Sequence, residues 1–327
     1  MKKILFLIQS PDMPSSRVRV LNLLTKLEKK GYHITCIRYP KKLNDKILLF
    51  RSLINFDIVF LQKKLPSPID SYILGRLSKK LIYDFDDAVY MKHESYGKKQ
   101  SFAAIMKFKS IVKYSSAVIA GNRILAEEAL RFNKNVHIIP SVVETDNLPV
   151  RDYGVQNDKF TVGWVGGNIN LSQLALLNGV FRKLSGEIPL EVRVISGKEP
   201  DMPGVDMKFI PWTVDGQDAE IAKFDAGVMP LPDSPYARGK CAYKALQYMA
   251  AGVVPVVSNV GVNADVAEKG KCGLVADNID DFYTELKYLS KNRGQMREMG
   301  ENAAKRVREK FSVDYAVDRL DEIFASL

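Results

Sequence analysis

A chain of 327 residues, 46% hydrophobic and 26% charged, has room for two ordinary domains with separate cores and is too apolar for a disordered chain. No apolar run reaches the ~18 residues of a membrane span, and three widely spaced cysteines (Cys36, Cys241, Cys272) suit neither a disulfide framework nor a metal cluster, so a reducing cytoplasm is expected. The net charge of +10 is lopsided: residues 1–150 hold 26 Lys and Arg against 13 Asp and Glu, the remainder 22 against 25.

In chain order, the start Met1-Lys2-Lys3 could pass for a signal peptide. Its apolar stretch is short and runs into Gln9-Ser10-Pro11-Asp12, so a first buried strand is the better reading. Val18, Leu21, Leu24 and Leu27 recur at helical spacing over residues 18–30, and Gly31 closes that helix. Ser15 reads as its N-cap. Runs at 33–38, 58–62, 80–84, 117–120 and 136–139 read as further strands, with a helix at 123–132. Strands alternating with helices imply a parallel sheet covered on both faces. A polar, turn-rich stretch follows, giving a first domain at 1–148 and a linker at 149–158. The pattern then restarts over 159–312 with strands at 160–165, 190–195, 207–210, 226–229, 253–258 and 273–276. Helices are expected at 243–251, 279–291 and 294–309, and a last one in 313–327 is expected to return toward the first domain.

Open α/β sheets bind ligands beyond the carboxyl ends of their strands. The richest loop there follows the strand ending at Met229: a Pro-rich stretch leads through Arg238-Gly239-Lys240-Cys241-Ala242-Tyr243-Lys244 into an apolar helix. The first turns of that helix are expected to hold Lys240 and Lys244, which, four residues apart, lie on one face and can converge. With Arg238, and with Gly239 allowing close backbone approach, a helix start bearing three cations suits a diphosphate. Solvated basic helix starts are common, but this one sits at a strand end and leads a buried helix.

This segment is similar to that of the GT-B glycosyltransferases, in particular the retaining family four. The resemblance covers essentially the whole chain and is densest at 209–262. It implies an α/β fold of two Rossmann-like domains facing each other across a cleft. Met249-Ala250-Ala251-Gly252-Val253 and Pro255-Val256-Val257 match a family stretch, with one extra residue before the proline. The family's two upstream glutamates, with seven residues between them, fall here on Gly239 and Gln247. Gln247 can still hydrogen-bond ribose hydroxyls, without the charge. The sequence resembles a branch in which Arg-Gly-Lys-Cys-x-x-Lys replaces the first glutamate. Relatives also place an Arg and a Lys after the first strand of the second domain. Here that loop is Gly166-Gly167-Asn168, without a cation but with backbone N–H groups for phosphate oxygens.

The resemblance implies a hexosyltransferase using a nucleoside-diphosphate sugar as co-substrate, without metal or other cofactor. Lipid-linked or glycan acceptors, retention of configuration and surface polysaccharide assembly in a bacterium are implied with it. Arg238, Lys240 and Lys244 would meet charge on the leaving diphosphate. Trp212 lies where relatives hold the base, although a buried aromatic is the commoner outcome. Asp86 falls near the position of a histidine in many relatives, close to the reacting carbon, so Asp86 or Asp87 is expected to face the cleft and to position the acceptor or stabilise charge in the transition state, with Asp86 the catalytic candidate. Asp84-Phe85-Asp86 can also be read as an Asp-x-Asp metal motif, which is frequent by chance, and Asp84 as a local cap. Ser16, Arg17, Arg19 and Asn122 complete the cleft candidates; His33, His93 and His137 show no useful spacing.

The basic first half attracts polyanions. Lys98, Lys99, Lys107, Lys109 and Lys113 among Phe102, Ile105, Met106, Phe108, Ile111 and Val112 read as a basic amphipathic helix on an anionic membrane surface, or equally as a docked helix with a solvated face. That makes the expected location cytoplasmic and peripheral on the inner face of the cell membrane. A nucleic-acid-binding protein would share the charge, but no base-reading motif accompanies it. A non-catalytic sugar-nucleotide sensor would account for the missing glutamates.

Overall fold

The strands form where short aliphatic runs are bounded by polar turns. A computed structural model describes residues 1–91, 101–214 and 216–327. It divides into two compact units: residues Met1–Val142, Arg238–Cys241 and Val313–Leu327, and residues Val143–Ala237 and Ala242–Ser312.

The first unit contains β1 (Lys3–Ile8), β2 (His33–Arg38), β3 (Ile58–Gln62), β4 (Leu81–Phe85), β5 (Ala117–Ala120) and β6 (Val136–Ile138), all parallel, in the order β2-β1-β3-β4-β5-β6. Strands β3, β4 and β5, apolar apart from Gln62 and Asp84, are buried along their whole length, as strands covered on both faces must be. The order reverses between β1 and β3, so the crevice for a ligand is expected beyond their carboxyl ends. Helix Val313–Ser326 belongs to this unit: Val313, Val317, Leu320 and Phe324 join Ile4, Phe6 and Phe60 in one core.

The second unit contains β7 (Phe160–Val165), β8 (Leu190–Ser196), β9 (Met207–Pro211), β10 (Ala226–Met229), β11 (Val254–Ser258) and β12 (Leu274–Ala276), again parallel, in the order β12-β11-β10-β7-β8-β9. This is the doubly wound order of dinucleotide-binding sheets, with the reversal between β7 and β10. Gly163 and Gly227 lie opposite each other across that reversal. A Cβ on Gly163 would come within 1.9 Å of the Phe224 ring, and one on Gly227 within 2.4 Å of Tyr248. Two bare positions thus let two rings pack flat on the sheet.

Several local expectations change. The first helix is broken into Pro14–Arg19, a 3₁₀ turn Leu21–Leu23 and Leu24–Lys29, because Val20 leaves helical geometry (φ −135°, ψ −65°). Met13 is its N-cap and Pro14 its first residue, so Ser15 lies inside the helix and does not cap it. The turn-rich segment after Val143 is tied down within the second unit. Arg151 donates to the Phe224 carbonyl (2.5 Å) and to the Asp225 carboxylate, which also accepts from Thr161 N (2.7 Å) and Asn157 Nδ2 (3.0 Å). The Tyr153 hydroxyl donates to the Gly252 carbonyl at 2.7 Å. The basic helix spans Phe102–Tyr114 and buries Phe108, Ile111 and Val112. Lys98 and Lys99 lie outside the described residues.

Candidate active site

In the second unit, β7 and β10 pair only as far as Gly163 and Gly227 and then part. The Tyr248 hydroxyl fills the opening: it accepts from Val165 N (3.1 Å) and donates to the Val228 carbonyl (3.2 Å). Burial pushes its pKa well above the ordinary phenol range, so it stays a neutral donor. Tyr248 was not singled out in the sequence; only its place in a buried helix between two strands could have marked it.

The parted strand ends lead to Gly166, Gly167 and Asn168. Gly166 has no room for a side chain: a Cβ would lie 2.5 Å from the Trp164 ring and 3.0 Å from Lys244 Cε, whereas a Cβ on Gly167 would meet nothing within 4 Å. Gly167 is therefore the open backbone position of the loop. Lys244, in the first turn of helix Tyr243–Ala250, holds its ammonium 4.6 Å from the Trp164 ring centroid and 3.5 Å from Gln173 Oε1. The switch point thus gathers a glycine loop, a helix start and a positioned cation within one unit.

A second line of polar groups adjoins it. Gln217 Oε1 accepts from Trp212 Nε1 (2.9 Å) and from Gln247 Nε2 (3.3 Å). Two sequence candidates are therefore joined by a residue that sequence reasoning missed. Trp212 is half-buried and its backbone N–H donates to the Ser196 carbonyl (2.9 Å). The Ser196 hydroxyl donates to Asn168 Oδ1 (3.3 Å), which brings the ends of β7, β8 and β9 into one hydrogen-bonded rim.

The helical pairing expected of Lys240 and Lys244 does not form. Ala242 adopts left-handed geometry (φ 53°) as the N-cap, and the helix starts at Tyr243, so Lys240 precedes it. Arg238 ends a separate turn, Pro235–Arg238. Residues Arg238–Cys241 belong to the first unit and Lys244 to the second.

In the first unit that segment is fixed on the ends of β4 and β5. The Cys241 thiol donates to the Asp86 carbonyl (3.1 Å), and Asn122 Nδ2 lies within donating distance of the carbonyls of Gly239 (3.0 Å) and Lys240 (3.2 Å) and of Cys241 Sγ (3.3 Å). Asn122 Oδ1 accepts from Leu125 N (2.9 Å) and so caps helix Arg123–Leu130. The side chain expected in the cleft is thus committed at both ends to structure. Gly239 is required by packing: a Cβ would lie 2.9 Å from Ala88 Cβ and 3.2 Å from Leu125. Burial pushes the Cys241 thiol up to about 12, so it is protonated at neutral pH.

The acidic triplet is also occupied. Asp84 is buried and receives both forks of the Arg19 guanidinium, which also donates to the carbonyls of Ile139 and Pro140 (2.8 Å each). Burial raises the Asp84 carboxyl, against the pull of Arg19. Arg19 is therefore a structural cation, and Asp84 neither a cap nor an open metal ligand. Asp86 and Asp87 face Lys63, whose ammonium lies 3.0 Å from Asp86 Oδ1 and pairs with Asp87. Burial alone would lower the Lys63 pKa, but the two carboxylates outweigh it and hold the ammonium well above the lysine range. Lys63, left-handed (φ 59°) at the end of β3, went unremarked in the sequence. The Ser16 hydroxyl donates to Gln62 Oε1 (3.2 Å), joining helix Pro14–Arg19 to the end of β3, and Arg17 is half-buried beside it. Among the described residues no group of three or more His, Cys, Asp or Glu is arranged to hold a metal.

A family profile described as "Glycosyl transferases group 1" matches residues 235–306, less than a quarter of the chain. Among solved structures, the chain is similar to the sucrose-phosphate synthase of Thermosynechococcus elongatus (13% identity, 99% of each chain covered, TM-score 0.75). It is similar to Anabaena HepE in complex with UDP and glucose (14%, 100% of each, 0.74). It also resembles the lipopolysaccharide outer core galactosyltransferase WaaB (14%, 99% of this chain and 100% of that one, 0.68). These likenesses establish the GT-B arrangement of two Rossmann-like domains. No curated protein sequence matches the chain.

Proposed function

We propose that the protein is a glycosyltransferase that moves a hexose from a nucleoside-diphosphate sugar to a lipid-linked or glycan acceptor, with retention, in surface polysaccharide assembly. The observation that carries the reading is the β7/β10 switch point, where Gly166, Gly167 and the Lys244 ammonium lie together beside the Gln217 bridge from Trp212 to Gln247. The fold is one in which HepE was solved with UDP-glucose and in which WaaB is a galactosyltransferase. In this reading the open backbone at Gly167 and the helix start receive the diphosphate, and Lys244 meets the charge that grows as the sugar–phosphate bond breaks. Arg238 and Lys240 are proposed as further cations for the leaving group. Trp212 and Gln247 are proposed for the base and ribose, and Asn168 for the rim. Ser16, Arg17, Asp86 and Asp87 are assigned to the acceptor side, without a metal.

The test is a thermal-shift screen of nucleoside-diphosphate sugars followed by a transfer assay with and without EDTA. A bound donor at a hundredfold excess over its Kd adds ~2.7 kcal/mol of apparent stability. The shift should vanish in Lys244→Ala, and transfer should resist chelation. Donor binding with no transfer or hydrolysis above background would make the protein a sensor instead, and a transfer reaction abolished by EDTA would remove the metal-free assignment.

A further inference from the structure

The second unit holds a recess of about 360 Å³ that none of the chemistry above uses. Residues 150–154 form one wall and helix Arg293–Lys310 the other, with Arg297, Glu301, Ala304 and Arg308 at helical spacing on one face. The first wall is anchored to the end of helix Tyr243–Ala250: Arg151 N donates to the Ala251 carbonyl at 2.8 Å, and Tyr153 holds Gly252. Gly300 lets the walls meet, since a Cβ there would lie 2.0 Å from the Tyr153 hydroxyl and 2.2 Å from the Gly252 carbonyl. Ala304 adds only a methyl group to the floor, and the volume left is that of a small-molecule site.

The recess is not an arm of the switch point. Arg151 grips Phe224 and Asp225, just before β10, and Gly252 lies just before β11. These are the amino ends of parallel strands whose carboxyl ends carry the Gly166-Gly167 loop and its neighbours, so roughly 17–20 Å of strand lies between the two places.

The charges around the recess define its ligand. Arg308 is exposed and makes no ion pair or hydrogen bond among the described residues. Arg297 pairs with Glu301 at 2.7 Å, but both are more than half exposed, so the pair opens at little cost. Arg151 is the buried cation of the wall, only 7% exposed; its two Nη atoms are spent on Phe224 and Asp225, and its Nε is buried without an acceptor. An unpaired buried donor is costly. Against these cations the recess sets two carboxylates, Asp152 and Glu301. A neutral sugar would leave Arg308 unmatched, and a bare anion would meet the carboxylates with nothing to give them. An anion that also carries hydroxyls satisfies both: guanidinium groups take the phosphate, and carboxylates accept from the hydroxyls.

We propose that this recess is a second ligand site, for a small hydroxylated anion of the sugar-phosphate class. Arg308 and Arg297 hold the phosphate, and Glu301 and Asp152 accept from the hydroxyls. The proposal does not depend on the identity of the donor or on any sugar transfer.

The full chain is titrated by calorimetry with glucose 6-phosphate, glucose 1-phosphate and fructose 6-phosphate, and with glucose and inorganic phosphate alone. At least one sugar phosphate is expected to bind about tenfold more tightly than either fragment, since each fragment forfeits one set of charge-assisted hydrogen bonds. Arg308→Gln should weaken that binding about tenfold or more, with only partial recovery in Arg308→Lys, which cannot bind the phosphate in two places. Arg308 is exposed and unpaired, so the unliganded variant should melt with the parent. Glu301→Gln should narrow the preference for the sugar phosphate over inorganic phosphate about threefold. Lys244→Ala, at the other end of the sheet, should leave the affinity unchanged. The absence of binding by all three sugar phosphates at millimolar concentration would overturn the proposal, as would binding indifferent to Arg308→Gln. Binding lost in Lys244→Ala would place the ligand at the switch point and overturn it equally.

Discussion

Asn122 offers the sharpest test of how the Arg238–Cys241 segment is held. Its Oδ1 caps helix Arg123–Leu130, and its Nδ2 reaches two carbonyls and a sulfur of the segment, all in a buried setting. Asn122→Ala removes both functions. Loss of a cap costs about 1 kcal/mol, and the carbonyls deprived of a buried donor add about 1–2 kcal/mol together. The expected destabilisation of about 2–3 kcal/mol corresponds to roughly 5–10 °C in melting temperature for a unit of this size. Asn122→Asp separates the two functions. The carboxylate keeps the cap, which a helix start favours, but sets its second oxygen against the carbonyls of Gly239 and Lys240. Its folded pKa should therefore rise above the unfolded value of about 3.9. A raised folded pKa means that stability is fully present below the unfolded pKa and is lost as pH rises through the folded one. The deficit of the Asp variant should shrink as pH falls toward 4, where the protonated acid can donate again, while that of the Ala variant stays level. Urea midpoints measured from acid to neutral pH decide the matter. An Asp variant as stable as the parent at neutral pH would refute the anchoring role.

Four further outcomes follow from the geometry. Lys63→Met leaves Asp86 and Asp87 without their shared cation, and transfer should fall at least about tenfold with donor KM unchanged, with partial rescue by Lys63→Arg; a change in KM alone would count against the acceptor-side assignment. Tyr248→Phe strands Val165 N and the Val228 carbonyl, so denaturation should show a loss of about 2–4 kcal/mol. With its thiol pushed up to about 12, Cys241 should resist alkylation at neutral pH until the protein unfolds, as read by peptide mass after timed labelling. Gly163→Ala should abolish soluble expression, since its Cβ would intrude on the Phe224 ring at 1.9 Å.

What the sequence made legible was the periodic part. In the second sheet β7, β10, β11 and β12 are buried along their whole length and were readable as largely apolar runs, whereas β8 showed itself by alternation, with Glu191 and Arg193 between buried neighbours. Helix Leu43–Ser52 escaped notice because its apolar residues face out rather than forming a buried stripe. Helix Pro68–Leu77 could have been found: Ser67 accepts from Asp70 N at 3.0 Å, with Pro68 at the first helical position, a start signal written in the residues. The site divides in the same way. Gly166, Gly167 and Lys244 were visible because loops after strands are where a sheet binds ligands. Lys63, Gln217 and Tyr248 were not, because each acts through a partner distant in sequence: Asp86 and Asp87, Trp212 and Gln247, Val165 and Val228.

The same distinction changes the meaning of residues 238–244. As a sequence they look like one cationic helix start, and a helical spacing of four would make their charges act as a set. The left-handed turn at Ala242 breaks that set. Upstream of it, Gly239 is packed against Ala88, the carbonyls of Gly239 and Lys240 lie against Asn122, and Cys241 against the Asp86 carbonyl, so the path of Lys240 is fixed by the ends of β4 and β5. Downstream, Lys244 is fixed by Trp164 and Gln173 at the end of β7. Residues that share neither partners nor a rigid element are expected to give additive effects. Lys240→Ala and Lys244→Ala should therefore add in donor affinity, and the loss caused by Lys240→Ala should be reproduced in part by Asn122→Ala, which leaves the charge in place but releases the backbone that carries it. Strong non-additivity between Lys240 and Lys244 would instead return them to a single cradle.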